Sequence, residues 1–213
     1  ALLSTQSNYT RDLDEVFAFL KDNSNQPQFE SLLVAPFNLR SSIEQLIDNE
    51  ISLVKKGKKG KLTVKLNSLE DTLMIDKLRQ AADEGVEIDL IVRGICCYHP
   101  QTELQEKNIK VVSIIDRFLE HTRIYQFHND GDKKVFLASA DWMTRNLSRR
   151  IEVAFPVLQK KAKSLLLDEL NFQLNDNIKG RKVACKDENQ FIKGKEVLSS
   201  QVKMFGLVKK YNL

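Results

Sequence analysis

The sequence predicts an α/β domain with a mixed, mostly parallel sheet flanked by helices. Three observations carry this. Strand-like and helix-like segments alternate through the first half of the chain, the order produced by parallel strands joined through helices. The strand-like segments are short apolar runs such as Leu90-Ile91-Val92, closed by polar or glycine corners such as Arg93-Gly94 and Asn67-Ser68, as buried strands are. The second half is richer in strand patterns, with the turn sequence Asn129-Asp130-Gly131-Asp132 between two of them.

Taken in order, Arg11 to Asn23 places Leu13, Val16, Phe17 and Leu20 at helical spacing. Asn23 to Pro27 reads as a linker. Ser31 to Ala35 is a short strand stopped by Pro36, and Asn38 is an N-cap for a helix reaching Lys56. The basic, glycine-broken stretch Lys55 to Lys61 leads into strand Leu62 to Leu66. Asn67 or Ser68 caps the next helix, which Gly85 ends. Strands follow at Val86 to Val92, Ile109 to Val112, Arg123 to Phe127, Lys134 to Ser139 and Ile151 to Val157. Lys160 to Leu174 is a helix, and Val197 to Tyr211 is helix-like. No internal repeat or low-complexity tract interrupts this order.

Composition narrows the function classes. Of 213 residues, 42% are hydrophobic and 29% charged, which describes a packed globular protein rather than a disordered one. No apolar run approaches the roughly 20 residues of a membrane-spanning helix, and Ala1 to Thr5 does not read as a signal peptide. A net charge of +4 is a modest bias toward anionic partners and no nucleic-acid signature. Cys96 and Cys97 are adjacent, and with Cys185 they lack CxxC spacing. They read as reduced thiols with a packing role.

Chemistry gathers at strand ends, where ligands of α/β sheets bind. Asn67, Arg93 and Ser139 each stand at such an end. His121 and Arg123, two apart at the start of a strand, share a face. An imidazole beside a guanidinium suits phosphoryl transfer: one acts as nucleophile or acid–base, the other holds phosphate oxygens. As a bare dipeptide pattern it also fits a surface histidine. Arg93 before Gly94 could clamp a phosphate or pair with Asp89. The corner at Lys65-Leu66-Asn67-Ser68 could offer a helix N-terminus to an anion. Ser139 to Asn146 presents Asp141, Arg145 and Asn146, while Trp142 and Met143 read as packing. Glu152 could orient a histidine or pair with Arg149 or Arg150. Lys55 to Lys61 reads as a solvated loop, and neither His99 nor His128 is assigned a catalytic role.

Lys65-Leu66-Asn67-Ser68-Leu69, Leu90 to Cys96, Arg117-Phe118-Leu119-Glu120-His121 and Ser139 to Asn146 stand in the order in which similar motifs occur in type 1 polyphosphate kinases. The chain resembles the C-terminal catalytic domain of that family from about Phe29 to about Leu174. The resemblance implies a phospholipase D-like fold, two similar α/β domains around one site, each giving a histidine. It implies reversible transfer of the terminal phosphate of ATP to inorganic polyphosphate through a phosphohistidine, with Mg2+. His121 matches the histidine of the second half, and Arg93 an arginine that contacts ATP phosphates. Asp141, Arg145 and Glu152 match the motif supporting that histidine, with Asn67, Ser139 and Asn146 beside them. The His-x-Lys motif bearing the phosphorylated histidine is absent, as are the N-terminal domains and the magnesium-binding arginines, so the metal is expected mainly on the missing half and the nucleotide.

The resemblance also implies a division into 1–27 as the tail of a preceding domain, 28–190 as the catalytic domain and 191–213 as a helical segment. Expected partners are ATP and ADP, polyphosphate, the remaining domains and a second copy in a homo-oligomer, with no nucleic acid. The expected location is cytoplasmic, with peripheral attachment at the inner face of the membrane open. A phospholipase D-type phosphodiesterase or nuclease and a non-catalytic polyanion-binding module remain the alternatives.

Overall fold

A computed structural model describes residues 5–184 and 189–210; Cys185, Ala1 to Ser4 and Tyr211 lie outside them. The elements are α1 (Ser7–Lys21), β1 (Leu33–Ala35), α2 (Leu39–Lys55), β2 (Lys61–Leu66), α3 (Thr72–Asp83), β3 (Glu87–Val92), α4 (Glu103–Asn108), β4 (Ile109–Ser113), β5 (Arg123–Phe127), β6 (Lys134–Ala138), α5 (Thr144–Ser148), β7 (Glu152–Pro156), α6 (Lys160–Leu174), β8 (Arg181–Val183) and α7 (Ser200–Lys210). A short 3-10 turn at Asn129–Gly131 joins β5 to β6.

The strands form one eight-stranded sheet in the order β1-β7-β6-β5-β2-β3-β4-β8. It is mixed and flanked by helices, as the sequence predicts. It is not mostly parallel: among the described residues only β2 with β3 and β3 with β4 pair in parallel, and the other five pairings are antiparallel. Parallel pairing needs a crossover, and only α3 and α4 supply one between neighbouring strands. The sequence does not predict helix α4 or strand β8: six residues with Leu104 alone apolar, and three residues, give too short a period to read.

Alternation along β2 sorts the layers. Leu62, Val64 and Leu66 pack with Ile43, Ile47 and Leu78 of α2 and α3 in the main core. The opposite face of the sheet, through Ile91, Ile124 and Val135, packs on Leu166 and Leu170 of α6. Lys65 points to that second face. Helix α1 lies over the β1–β7 edge, where Tyr9 and Val16 meet Leu32 and Val34. The Asp12 carboxylate accepts from the N–H groups of Glu30, Ser31 and Leu32 at 2.7–3.0 Å, pinning α1 to the chain after the linker.

Two capping expectations are corrected. Asn38 precedes α2 as expected, but its side chain turns back to Val34 N–H at 2.6 Å and Leu32 C=O at 3.2 Å. Helix α3 begins after Asp71, not after Asn67 or Ser68; Asp71 accepts from Met74 N–H at 3.0 Å and is held by both arms of Arg40. Its N-terminus therefore already faces a carboxylate, which removes the reason to expect a phosphate there. Four of the five lysines in the basic run are paired as well: Lys55 meets Glu84, Lys58 meets Asp130, Lys59 meets Glu87, and Lys61 meets Asp89 at 2.7 Å. Cys96 packs partly against the core, whereas Cys97 is exposed, so the packing role holds for the first only.

Candidate active site

Strand direction explains why the candidate residues meet. β2, β3 and β6 run one way and are followed at once by Asn67, Arg93 and Ser139; β5 and β7 run the other way and begin at Arg123 and Glu152. All five stand on one edge of the sheet. The segments beyond the strands are stitched together there. Leu69 N–H donates to Ile95 C=O at 2.8 Å, Cys97 N–H to Leu69 C=O at 2.9 Å, and Glu70 N–H to Trp142 C=O at 2.8 Å. Trp142 is wholly buried, tilted on Tyr125 at 5.6 Å between ring centroids, so it is a packing residue.

Asp141 is the hub. Its Oδ1 accepts from the N–H of Asn67 at 2.7 Å and of Ser68 at 3.2 Å. Arg123 grips the same carboxylate with Nε at 3.2 Å to Oδ1 and a terminal nitrogen at 2.9 Å to Oδ2. Burial alone would raise the Asp141 pKa; the bonds from Arg123 and the Asn67 and Ser68 backbone outweigh it and hold the carboxyl below the usual carboxylate range. The other terminal nitrogen of Arg123 lies 3.0 Å from His121 Nδ1 and 3.0 Å from His121 C=O. A guanidinium can only donate, so Nδ1 accepts. The neutral imidazole then carries its proton on Nε2, and the ring is exposed.

Arg93 joins through Asn67, whose Oδ1 accepts from Arg93 at 3.2 and 2.7 Å. It does not pair with Asp89, which Lys61 has taken. Asn67 Nδ2 in turn lies 3.4 Å from Asp141 Oδ1. A continuous polar chain therefore runs Arg93, Asn67, Asp141, Arg123, His121. The two arginines are not equivalent. Arg123 spends four of its five N–H donors on Asp141 and His121. Among the described residues Arg93 uses two, both on one Asn67 oxygen, which leaves three for a ligand.

Glu152 does not reach for His121. Its carboxylate accepts from Ser139 Oγ and, at 2.5 Å, from Asn146 Nδ2. Ser139 Oγ also accepts from Val153 N–H at 3.0 Å. These three brace the β6–β7 end of the edge. Arg145 stands apart, exposed, with a terminal nitrogen 3.6 Å from Met143 Sδ. A cavity of about 780 Å³ opens beside His121, with Arg123, Ser139 and Glu169 on its wall and Tyr9 and Leu13 of α1 opposite. The segment before Pro27 thus helps to shape the site.

The residues present do not fit a resident Mg2+. Asp141 and Glu152, the carboxylates at the edge, are consumed by guanidinium, hydroxyl, amide and backbone donors. Among the described residues no group of three or more His, Cys, Asp or Glu could hold a metal ion.

Gly94 is needed where it stands. A Cβ there would lie 2.9 Å from the Asn67 carbonyl oxygen, to which Gly94 N–H donates at 2.7 Å. Gly94→Ala is expected to push β3 from β2 at the Arg93–Asn67 contact and cost about 1–3 kcal/mol, as overpacking does. Thermal melting checks this; an unchanged midpoint would show that the corner has slack.

Sequence comparison decides the family. A profile described as "Polyphosphate kinase C-terminal domain 2" matches residues 32–201. The chain belongs to the polyphosphate kinase C-terminal domain family. It is 39% identical over 211 residues to a polyphosphate kinase of Vibrio parahaemolyticus, covering 98% of this chain and 30% of that protein. With a polyphosphate kinase of Staphylococcus saprophyticus the identity is 46% over 180 residues, covering 84% of this chain and 25% of that protein. The chain thus spans about a third or less of the curated relatives it matches. The crystal structure of polyphosphate kinase from Porphyromonas gingivalis superposes with a TM-score of 0.91 at 39% identity, over 98% of this chain and 32% of that one. Nuc, a phospholipase D family member from Salmonella typhimurium, matches at TM-score 0.52 and 14% identity, over 71% of this chain and 95% of that one. That likeness is one of fold, and the fold is phospholipase D-like. Among the described residues no helix is long and apolar enough to cross a membrane.

Proposed function

We propose that this chain is the second catalytic half of a type 1 polyphosphate kinase. On this reading it helps move the terminal phosphate of ATP, reversibly, onto inorganic polyphosphate through a phosphohistidine carried by the other half. The observation that carries the reading is the chain from Arg93 through Asn67, Asp141 and Arg123 to His121. It sets an arginine fork and an imidazole on one sheet edge within a single hydrogen-bonded unit.

Phosphoryl transfer depends on positioning and charge neutralisation. Arg93, with three free donors, holds phosphate oxygens. Arg123 acts mainly on His121: Asp141 fixes its plane, and it fixes the ring with Nε2–H outward. That N–H donates to an oxygen of the transferring phosphoryl group and stabilises the charge that builds there. Asn67 couples the two arginines, while Ser139, Asn146 and Glu152 hold the β6–β7 end in place. Mg2+ enters on the nucleotide phosphates as part of the substrate. Residues 1–27 belong with the preceding domain, 28–190 form the catalytic half and 191–213 a closing segment. The partners are ATP, ADP, polyphosphate and the remaining domains, in a cytoplasmic homo-oligomer.

The test is an ATP-to-polyphosphate assay on the 213-residue chain and on the complete kinase. The complete kinase is expected to make polyphosphate. The chain alone is expected to bind polyphosphate weakly and to show no turnover. Robust synthesis by the chain alone would sink the claim that the nucleophile lies elsewhere.

A further inference from the structure

The loop carrying His121, residues 114–122 between β4 and β5, has no regular structure and exposes Ile115, Phe118 and Leu119. Such a segment samples many backbone conformations unless it is tied down. A reacting side chain, by contrast, must be held within about 0.5 Å of its working position. The bonds from Arg123 fix the ring and the His121 carbonyl but not the chain before it at Phe118 and Glu120.

Another set of contacts does that. Lys65, on the α6 face of β2 with its side chain 6% exposed, reaches Glu120 at 2.6 Å and Glu169 of α6 at 2.7 Å. The Glu120 carboxylate also accepts from Gln173 of α6 and, at 3.1 Å, from Gln201 of α7. Gln201 brackets Phe118 as a neighbouring strand would. Its Oε1 accepts from Phe118 N–H at 3.1 Å, and its Nε2 donates to Phe118 C=O at 2.9 Å. Helix α7 is itself anchored by the wholly buried Asp176. Its Oδ2 accepts from Ser200 N–H at 2.7 Å, and its Oδ1 from the N–H groups of Ile178, Lys179 and Gly180. The tether runs from a buried carboxylate, through α7, to the residue next to His121.

We propose that Gln201 and Lys65 are positioning residues that place His121 through Phe118 and Glu120, so that helix α7 helps set the reaction rate while touching no substrate. The inference deepens the polyphosphate kinase reading and rests on it for its kinetic arm only.

The variant is Gln201→Ala. Gln201 is partly exposed on a helix, where alanine is well tolerated. In the complete kinase, kcat for polyphosphate synthesis is expected to fall roughly ten- to hundredfold, as small misplacements of reacting groups cause. KM for ATP stays within about twofold, because Arg93 is held from Asn67 and not from the loop. In the 213-residue chain, imidazole 15N NMR is expected to show one Nε2–H tautomer at His121 that becomes averaged in the variant, in a spectrum otherwise dispersed and unchanged. Gln201→Glu, which sets a second carboxylate against Glu120, should lower kcat at least as far. An unchanged kcat, or a His121 signal identical to the parent's, would overturn the inference. A parent kinase without ATP-to-polyphosphate activity would instead defeat the functional reading, and the NMR arm would still decide the positioning claim.

Discussion

Replacing His121 with alanine in the complete kinase is expected to lower kcat for ATP-to-polyphosphate transfer by about 10²- to 10³-fold, the range lost with one placed hydrogen-bond donor. The fold should hardly notice. His121 is exposed, and among the described residues its ring makes one side-chain hydrogen bond, with Arg123 at 3.0 Å. Arg123 keeps its two bonds to Asp141 without it. The melting temperature should stay within about 2 °C, the shift for well under 1 kcal/mol in a domain of this size. His121→Gln is the informative companion. Its side-chain amide can donate toward a phosphate but cannot exchange a proton. If hydrogen-bond donation dominates, His121→Gln recovers a large part of the rate; if proton transfer dominates, it is as slow as alanine. Near-normal rates in both variants would remove His121 from the centre.

Much of the fold was legible because its strands are apolar runs with polar or glycine ends. Strand β5 and helix α6 fall on the residues their periodicity marks. Pairing direction was not legible. The helix-strand alternation before Val112 does give the parallel trio β2, β3 and β4, but the later strands fold back as antiparallel hairpins and outnumber it. Alternation reports what separates strands, not which neighbour each finds. The site shows the same division. Asn67, Arg93, Arg123 and Asp141 were legible as polar residues at strand ends. Their mutual geometry was not, because it depends on which strands run opposite to β2. Glu152 could not be assigned from sequence to Ser139 and Asn146 rather than to a histidine. Gln201 left no local signal at all: it is one glutamine on a helix, and its meaning comes from Phe118, 83 positions earlier.

Asp141→Asn is expected to be the most damaging substitution to the fold of this edge. The pair is buried, with side-chain exposures of 12% for Arg123 and 10% for Asp141. Asparagine can still accept from the Asn67 and Ser68 backbone. Its amide nitrogen, however, would face the terminal Arg123 nitrogen that now donates to Oδ2, and a buried cation would be left without its anion. Breaking such a pair from one side costs about 3–5 kcal/mol, which lowers Tm by roughly 10 °C in a chain of this length. Removing the stranded charge should help, so Arg123→Met added to Asp141→Asn is expected to melt above the single variant while remaining inactive. The pH dependence carries the same signature. The Asp141 pKa is depressed in the folded state, so its contribution is full above the ordinary carboxylate value of about 3.9 and is lost as pH falls through the depressed value. Asp71 and Asp176 are depressed for parallel reasons: burial opposes the charge, and Arg40 or backbone N–H groups overcome it. Acid melts of the parent should therefore fall steeply below about pH 4, and the Asp141→Asn chain should show a shallower slope there. Equal slopes would mean that folding does not depress the Asp141 pKa, and the polar chain from Arg93 to His121 would lose its hub.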